Sequence, residues 1–196
     1  AAKTAPDSLC SQKSAINLYN GDMCGIIAIT RKRSTRHIPT RDSLEKLIDF
    51  DQRLSIRDHG EIKSLVEKFS KLKSELSGVP GILCLIGEPA IGTHLDHLCS
   101  TLRETITVFE KSLASTKFNS GELEEINKSL IELKDLLWHV SNDRVQTAAA
   151  VENLANGQTS ASSVEAFTSI QQVLSGIDRL EVRGRDSAGL HLMIQN

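Results

Sequence analysis

From Thr93 to Val140 apolar residues recur every three or four positions. They are Leu95, Leu98, Leu102, Ile106, Phe109 and Leu113, then Leu123, Ile126, Leu130, Leu133, Leu137 and Val140. That interval is the 3.6-residue turn of a helix, not the two-residue period of a strand, so each run predicts a long helix with one apolar stripe. Asn119-Ser120-Gly121 breaks the pattern between them, and Ser120 opens the second helix with S-x-x-L-E-E. Two long helices joined by a short turn pack antiparallel in a bundle.

The same spacing extends the helical reading. Ser43–Ile56 offers Leu44, Leu47, Ile48 and Leu54, and Glu61–Leu76 offers Ile62, Leu65, Phe69, Leu72 and Leu76. Gly78-Val79-Pro80-Gly81 stops the latter, and the run Ile82–Ile86 is too short for periodicity to decide between strand and helix. Val145–Leu154 predicts a shorter helix. The loop Asn156–Ser163 supplies a candidate cap at Ser162 or Ser163 for a last helix, Val164–Leu180. Trp138 and His139 read as core and edge, and Cys84 as packing.

Two short stretches break the helical pattern. Cys24–Thr30 is small or β-branched and apolar, and Leu190–Ile194 reads L-H-L-M-I, so both predict strands. The fold class expected is α+β, predominantly helical. At 4 % aromatic residues the core must be aliphatic.

Charge narrows the functions open to the chain. The formal net charge is −2 with both signs interspersed, and no apolar run reaches the roughly 18 residues of a membrane span, so neither nucleic acid nor membrane is an expected partner. The basic run Arg31–Arg41 follows a strand and contains Pro39, as a solvated loop would. Cys10, Cys24, Cys84 and Cys99 have no paired spacing, which argues against a zinc knuckle or disulfide framework and for a reducing, cytoplasmic setting. His94, Asp96, His97 and Cys99 share a helical segment, but two histidines and a cysteine lack a fourth ligand and the usual spacing, so a helix N-terminal turn with solvated histidines is expected and no metal site is assigned.

The opening residues have neither arginine nor an apolar core of a signal peptide. The sequence begins with Ala1, and Met23 and Met193 are its only methionines. Residues 1–22 are therefore expected to be a removable leader, a propeptide or translated upstream sequence.

M-C-G-I-I at Met23–Ile27 and I-D-R-L-E-V-R-G-R-D-S-A-G-L at Ile177–Leu190 together resemble the amino terminus of the class II glutamine amidotransferases. The likeness is nearest the glutamine–fructose-6-phosphate aminotransferase (isomerizing) branch, where a strand opening M-C-G-I is followed by a helix ending L-E-Y-R-G-Y-D-S-A-G. Val182 and Arg185 stand where that pattern has tyrosines. The resemblance covers about 23–33 and 164–196, leaving 34–163 as a helical insertion where the family has a short turn.

The resemblance implies an N-terminal-nucleophile glutaminase fold, of which this chain holds a two-strand remnant, with Cys24 beside Gly189. It implies Cys24 as nucleophile and Arg183, Gly184, Asp186 and Ser187 in the turn lining the glutamine pocket. L-Glutamine is the substrate it implies, with fructose 6-phosphate as ammonia acceptor in a complete, homo-oligomeric enzyme and no cofactor. Asp186 is equally suited to stabilise its own turn.

A cysteine at position one uses its own α-amine, of unperturbed pKa about 8, to accept the thiol proton. With Asp22 attached that nitrogen is a non-basic amide, so Cys24 is expected to be inactive. The family's carboxylate-gripping arginine, oxyanion Asn-Gly pair and amine-binding aspartate are expected beyond Asn196, which makes the chain by itself incomplete and inactive. Asn156-Gly157 precedes the R-G-x-D-S-A-G turn and is rejected as the oxyanion pair. The competing expectation is a non-catalytic helical interaction protein that keeps only the ancestral ends.

Overall fold

The computed structural model describes residues 27–48, 56–113, 120–181 and 189–193, apart from the side chains of Leu180 and Glu181. These residues are predominantly helical. Seven α-helices and one π-helix follow in order: α1 (Arg41–Glu45), α2 (His59–Glu75), α3 (Gly78–Gly87), α4 (Pro89–Leu113), α5 (Ser120–Trp138), the π-helix His139–Gln146, α6 (Thr147–Ala155) and α7 (Ala161–Glu181). The chain divides into two compact units, Arg33–Gln171 and a second formed from the residues before and after it.

The larger unit buries the stripes predicted from spacing. Phe69 and Leu72 of α2, Leu95, Leu102 and Ile106 of α4, and Leu130, Leu133 and Leu137 of α5 are fully or almost fully buried. α5 packs most extensively on α2 and also meets α4. Arg103 bonds the Leu137 carbonyl at 3.4 Å and Glu110 pairs with Lys134 at 2.6 Å, so α4 and α5 run antiparallel. Each fully buried leucine stabilises the unit by about 1.5–3 kcal/mol, far more than the exposed Lys134–Glu110 pair.

Local chemistry fixes the helix ends. Thr40 and Ser43 cap α1 reciprocally, and the Glu61 amide donates to Asp58 Oδ1 at 2.9 Å to start α2. α1 is shorter than the helix expected over Ser43–Ile56, and residues 49–55 lie outside the described set. The segment around Ile82–Ile86 is helical: Pro80 falls in the first turn of α3, where its missing N–H costs no hydrogen bond. Pro89 opens α4 in the same way, four residues before the expected start. For α7 the cap is Ser160, not Ser162 or Ser163. Its Oγ accepts from the Ser163 amide at 3.2 Å.

The basic loop has a structural task. Arg36 donates to the carbonyls of Ser74, Glu75 and Ser77 at 3.1–3.2 Å, placing its positive charge on the open carbonyls that end α2. Trp138 corrects another expectation: it is 44 % exposed, while His139 is half-buried and bonds Asp143 at 2.6 Å. The stripe of α5 passes through Leu133, Leu136 and Leu137, which turns Trp138 outward.

No strand forms among the described residues. Burial along Ile27–Lys32 alternates with the period of two that an extended segment gives, but no neighbouring backbone forms a ladder with it there. Gly189–Met193 is exposed throughout, and Cys24 lies outside the described residues, so the expected approach of Cys24 to Gly189 does too.

Leu133→Ala should lower unfolding free energy by about 2–5 kcal/mol in urea denaturation, whereas Ile131→Ala, at a position 61 % exposed on the same helix, should change it by less than about 0.5 kcal/mol. Arg36→Ala should cost about 1 kcal/mol by the same measurement, with Arg36→Lys recovering only part, since one ammonium cannot span three carbonyls.

Candidate functional site

The residues predicted to carry chemistry, Cys24, Arg183, Gly184, Asp186 and Ser187, all lie outside the described residues. What is described is the chain that flanks them. In the smaller unit the segment that begins at Ile27, three residues after Cys24, lies along the half of α7 that precedes the R-G-R-D-S-A-G stretch. Arg31 Nη2 donates to Gln172 Oε1 at 2.7 Å, and a Cβ placed on Gly176 would overlap Ile27 Cδ1. Ile27 therefore sits where Gly176 leaves room. Ile27 follows Cys24 by three residues, and Gly176 precedes Arg183 by seven, so two stretches far apart in sequence are brought side by side.

Two other cysteines are described. Cys84 and Cys99 are buried, and burial pushes their thiols up to about 11 and about 12, Glu88 adding to the first and Asp96 to the second against Arg103. Thiols held so far above neutrality are packing groups, not nucleophiles. Of the cluster in α4, His94 bonds the Ala90 carbonyl at 2.7 Å, Asp96 accepts from Ser141 at 2.7 Å, His97 is exposed and Cys99 is buried. Their side chains serve separate contacts, and among the described residues no group of three or more His, Cys, Asp or Glu is arranged to hold a metal. Asn156-Gly157 ends α6: both residues have positive φ, 46° and 82°, the left-handed turn that stops a helix. That backbone role explains the pair without an oxyanion.

The feature that sequence reasoning missed is the π-helix. Its eight residues meet α2, α3 and α4 as well as the helices on either side, and such looser turns are rare and concentrate at functional sites. Arg144 within it is half-buried; burial lowers its pKa against the pull of Asp143, and its buried Nε has no hydrogen-bond partner among the described residues. A signal was present in the sequence: the apolar interval widens to five between Val140 and Val145, across Ser141-Asn142-Asp143-Arg144.

Beside the π-helix lies a cavity of about 320 Å³, between α3, the start of α4, and α6. Leu85, Pro89, Val145 and Ala148 form apolar walls, and Asp96 and Glu152 are its only ionisable lining among the described residues. Gly92 faces it from inside α4. A Cβ there would sit 3.5 Å from Val145 Cγ1, an ordinary contact, yet glycine within a helix costs about 1 kcal/mol relative to alanine. Neither crowding nor positive φ requires glycine at this position. A second hollow, about 270 Å³ between α2 and α5, is lined by Lys63, Glu67, Glu125, Lys128 and Glu132, whose charges are mixed.

No described helix is long and apolar enough to cross a membrane. Comparison with protein-family models, with curated proteins and with solved structures gave no match to the chain.

At pH 8 the folded protein should leave Cys84 and Cys99 unmodified by iodoacetamide, since less than about 1 % of either would be thiolate. Both should react fully once urea unfolds the chain, as read by mass spectrometry of the peptides.

Proposed function

We propose that residues 23–33 and 164–196 are the N-terminal part of a class II glutamine amidotransferase, of the kind that makes glucosamine 6-phosphate, and that Cys24 becomes its catalytic first residue. The observation that carries this reading is the joint occurrence of M-C-G-I-I and R-G-R-D-S-A-G at the two ends of the helical block. The packing of Ile27 on Gly176 and of Arg31 on Gln172 supports it, because each motif is continuous with one of these neighbouring stretches. The strand reading of Leu190–Ile194 has support in the exposure of Leu190, Leu192 and Met193, the last 89 % exposed, which offers apolar surface to a sheet neighbour.

In the proposed reaction the α-amine of Cys24 accepts the thiol proton as Sγ attacks the side-chain amide carbon of L-glutamine. The tetrahedral intermediate collapses, the same proton leaves with the nitrogen as ammonia, and a glutamyl thioester remains. Water then attacks the thioester, the amine again acting as base, and glutamate is released. Arg183, Gly184, Asp186 and Ser187 form the pocket rim, and the ammonia is used to aminate fructose 6-phosphate elsewhere in the enzyme.

A second reading, a non-catalytic interaction protein, draws on a different observation. Among the described residues the apolar buried core runs from Leu44 to Val164, so the helical block together with the start of α7 has a hydrophobic core of its own.

Amino-terminal sequencing of the full-length protein from its own cells should find Cys24 first. A diazoketone analogue of glutamine should then alkylate Cys24 alone, with excess glutamine protecting it and Cys24→Ala abolishing the adduct. A mature protein that starts anywhere else lacks the base and sinks the catalytic proposal, and a Cys24 that is first but inert to the analogue favours the interaction protein.

A further inference from the structure

The cavity beside the π-helix lies in the helical unit, and its chemistry is independent of Cys24. We infer that it binds a small organic cation: a primary ammonium carried on an apolar body, held by Asp96 and Glu152. Three observations carry this. At about 320 Å³ the space is that of a small-molecule site, mostly apolar with a few polar groups. Among the described residues its ionisable lining is entirely acidic, with no lysine, arginine or histidine in the wall, and neither carboxylate is engaged in an ion pair there. The third is Gly92, which lines the cavity: a methyl group there would reach Val145 Cγ1 at 3.5 Å and Leu85 Cδ2 at 4.0 Å, ordinary contacts that would narrow the space between these walls.

Both carboxylates are on exposed residues, and Asp96 is also held by a hydrogen bond. Ser141, in the first turn of the π-helix, donates to Asp96 Oδ1 at 2.7 Å, which fixes the aspartate and leaves Oδ2 to receive an ammonium N–H. Glu152 is exposed on α6 and supplies charge at the cavity mouth. Thr93, whose hydroxyl donates to the Pro89 carbonyl at 3.2 Å, keeps its lone pairs as further acceptors. Leu85, Pro89, Val145 and Ala148 take the apolar body. An anion meets repulsion from both carboxylates, and a neutral molecule of the same shape loses the charge-assisted hydrogen bond.

The test follows backbone amide NMR shifts of the whole chain during titration with phenethylammonium, with phenylethanol and phenylpropionate as neutral and anionic counterparts. The ammonium should shift the amides of Gly92, Asp96, Val145 and Ala148 saturably, with a dissociation constant on the order of a millimolar. The alcohol should bind about tenfold more weakly, and the carboxylate should not saturate. Asp96→Asn, which retains the acceptor for Ser141, should weaken ammonium binding about tenfold. Gly92→Ala should weaken it at least about threefold while Tm stays constant or rises. Absence of saturable ammonium binding, equal binding of the alcohol or carboxylate, or unchanged binding by both variants with Tm intact would overturn the inference.

Discussion

The helical unit depends on one constraint: a single helical run, Ser120 to Ala155, must bury apolar residues against different neighbours along its length. Its first half lies on α2 and α4, and its last turns lie on α3. An α-helix advances by about 100° per residue, so a fixed three-four repeat keeps one face toward one partner. The π-helical stretch winds more loosely, which rotates the apolar stripe relative to an α-helix of equal length. Val140 and Ser141 are still buried on the first side, and Ala148 and Val151 are buried on the second.

That same stretch gathers several polar groups within the aliphatic bundle. Ser141 reaches Asp96, His139 reaches Asp143, and the half-buried Arg144 brings a guanidinium whose buried Nε finds no acceptor among the described residues. An unsatisfied buried donor costs about 1–3 kcal/mol, and glycine at position 92 adds to the expense. These local costs lie close to the cavity, while the caps, the stripes and the core elsewhere agree with one another. Conflicts between local preference and stability gather where a fold does something besides hold together.

The ends of the chain follow a different logic. Extended residues depend on a neighbour for their backbone hydrogen bonds, so an apolar run such as Ile27–Thr30 has a strand's composition before it has a strand's structure. Its alternating burial against α7 expresses the two-residue period without a ladder. Helices satisfy their own backbone, and the central block is helical among its described residues, while the described residues include no strand of the sheet expected from the family resemblance.

Spacing alone determined the long helices α2, α4, α5 and α7, the aliphatic core and the packing role of Cys84, because those depend on period and on burial of carbon. It left the short run of α3 undecided and turned Trp138 inward, since neither length nor position within a stripe settles a helix boundary. Tertiary structure alone decided that Arg36 closes the end of α2 and that a cavity lined by Asp96 and Glu152 lies beside the π-helix, whereas the widened apolar interval from Val140 to Val145 and the loop at Asn156-Gly157 were already present in the sequence. The physical reason is range: a stripe is written within one helix, whereas a clamp and a cavity exist only between elements whose meeting no local pattern encodes.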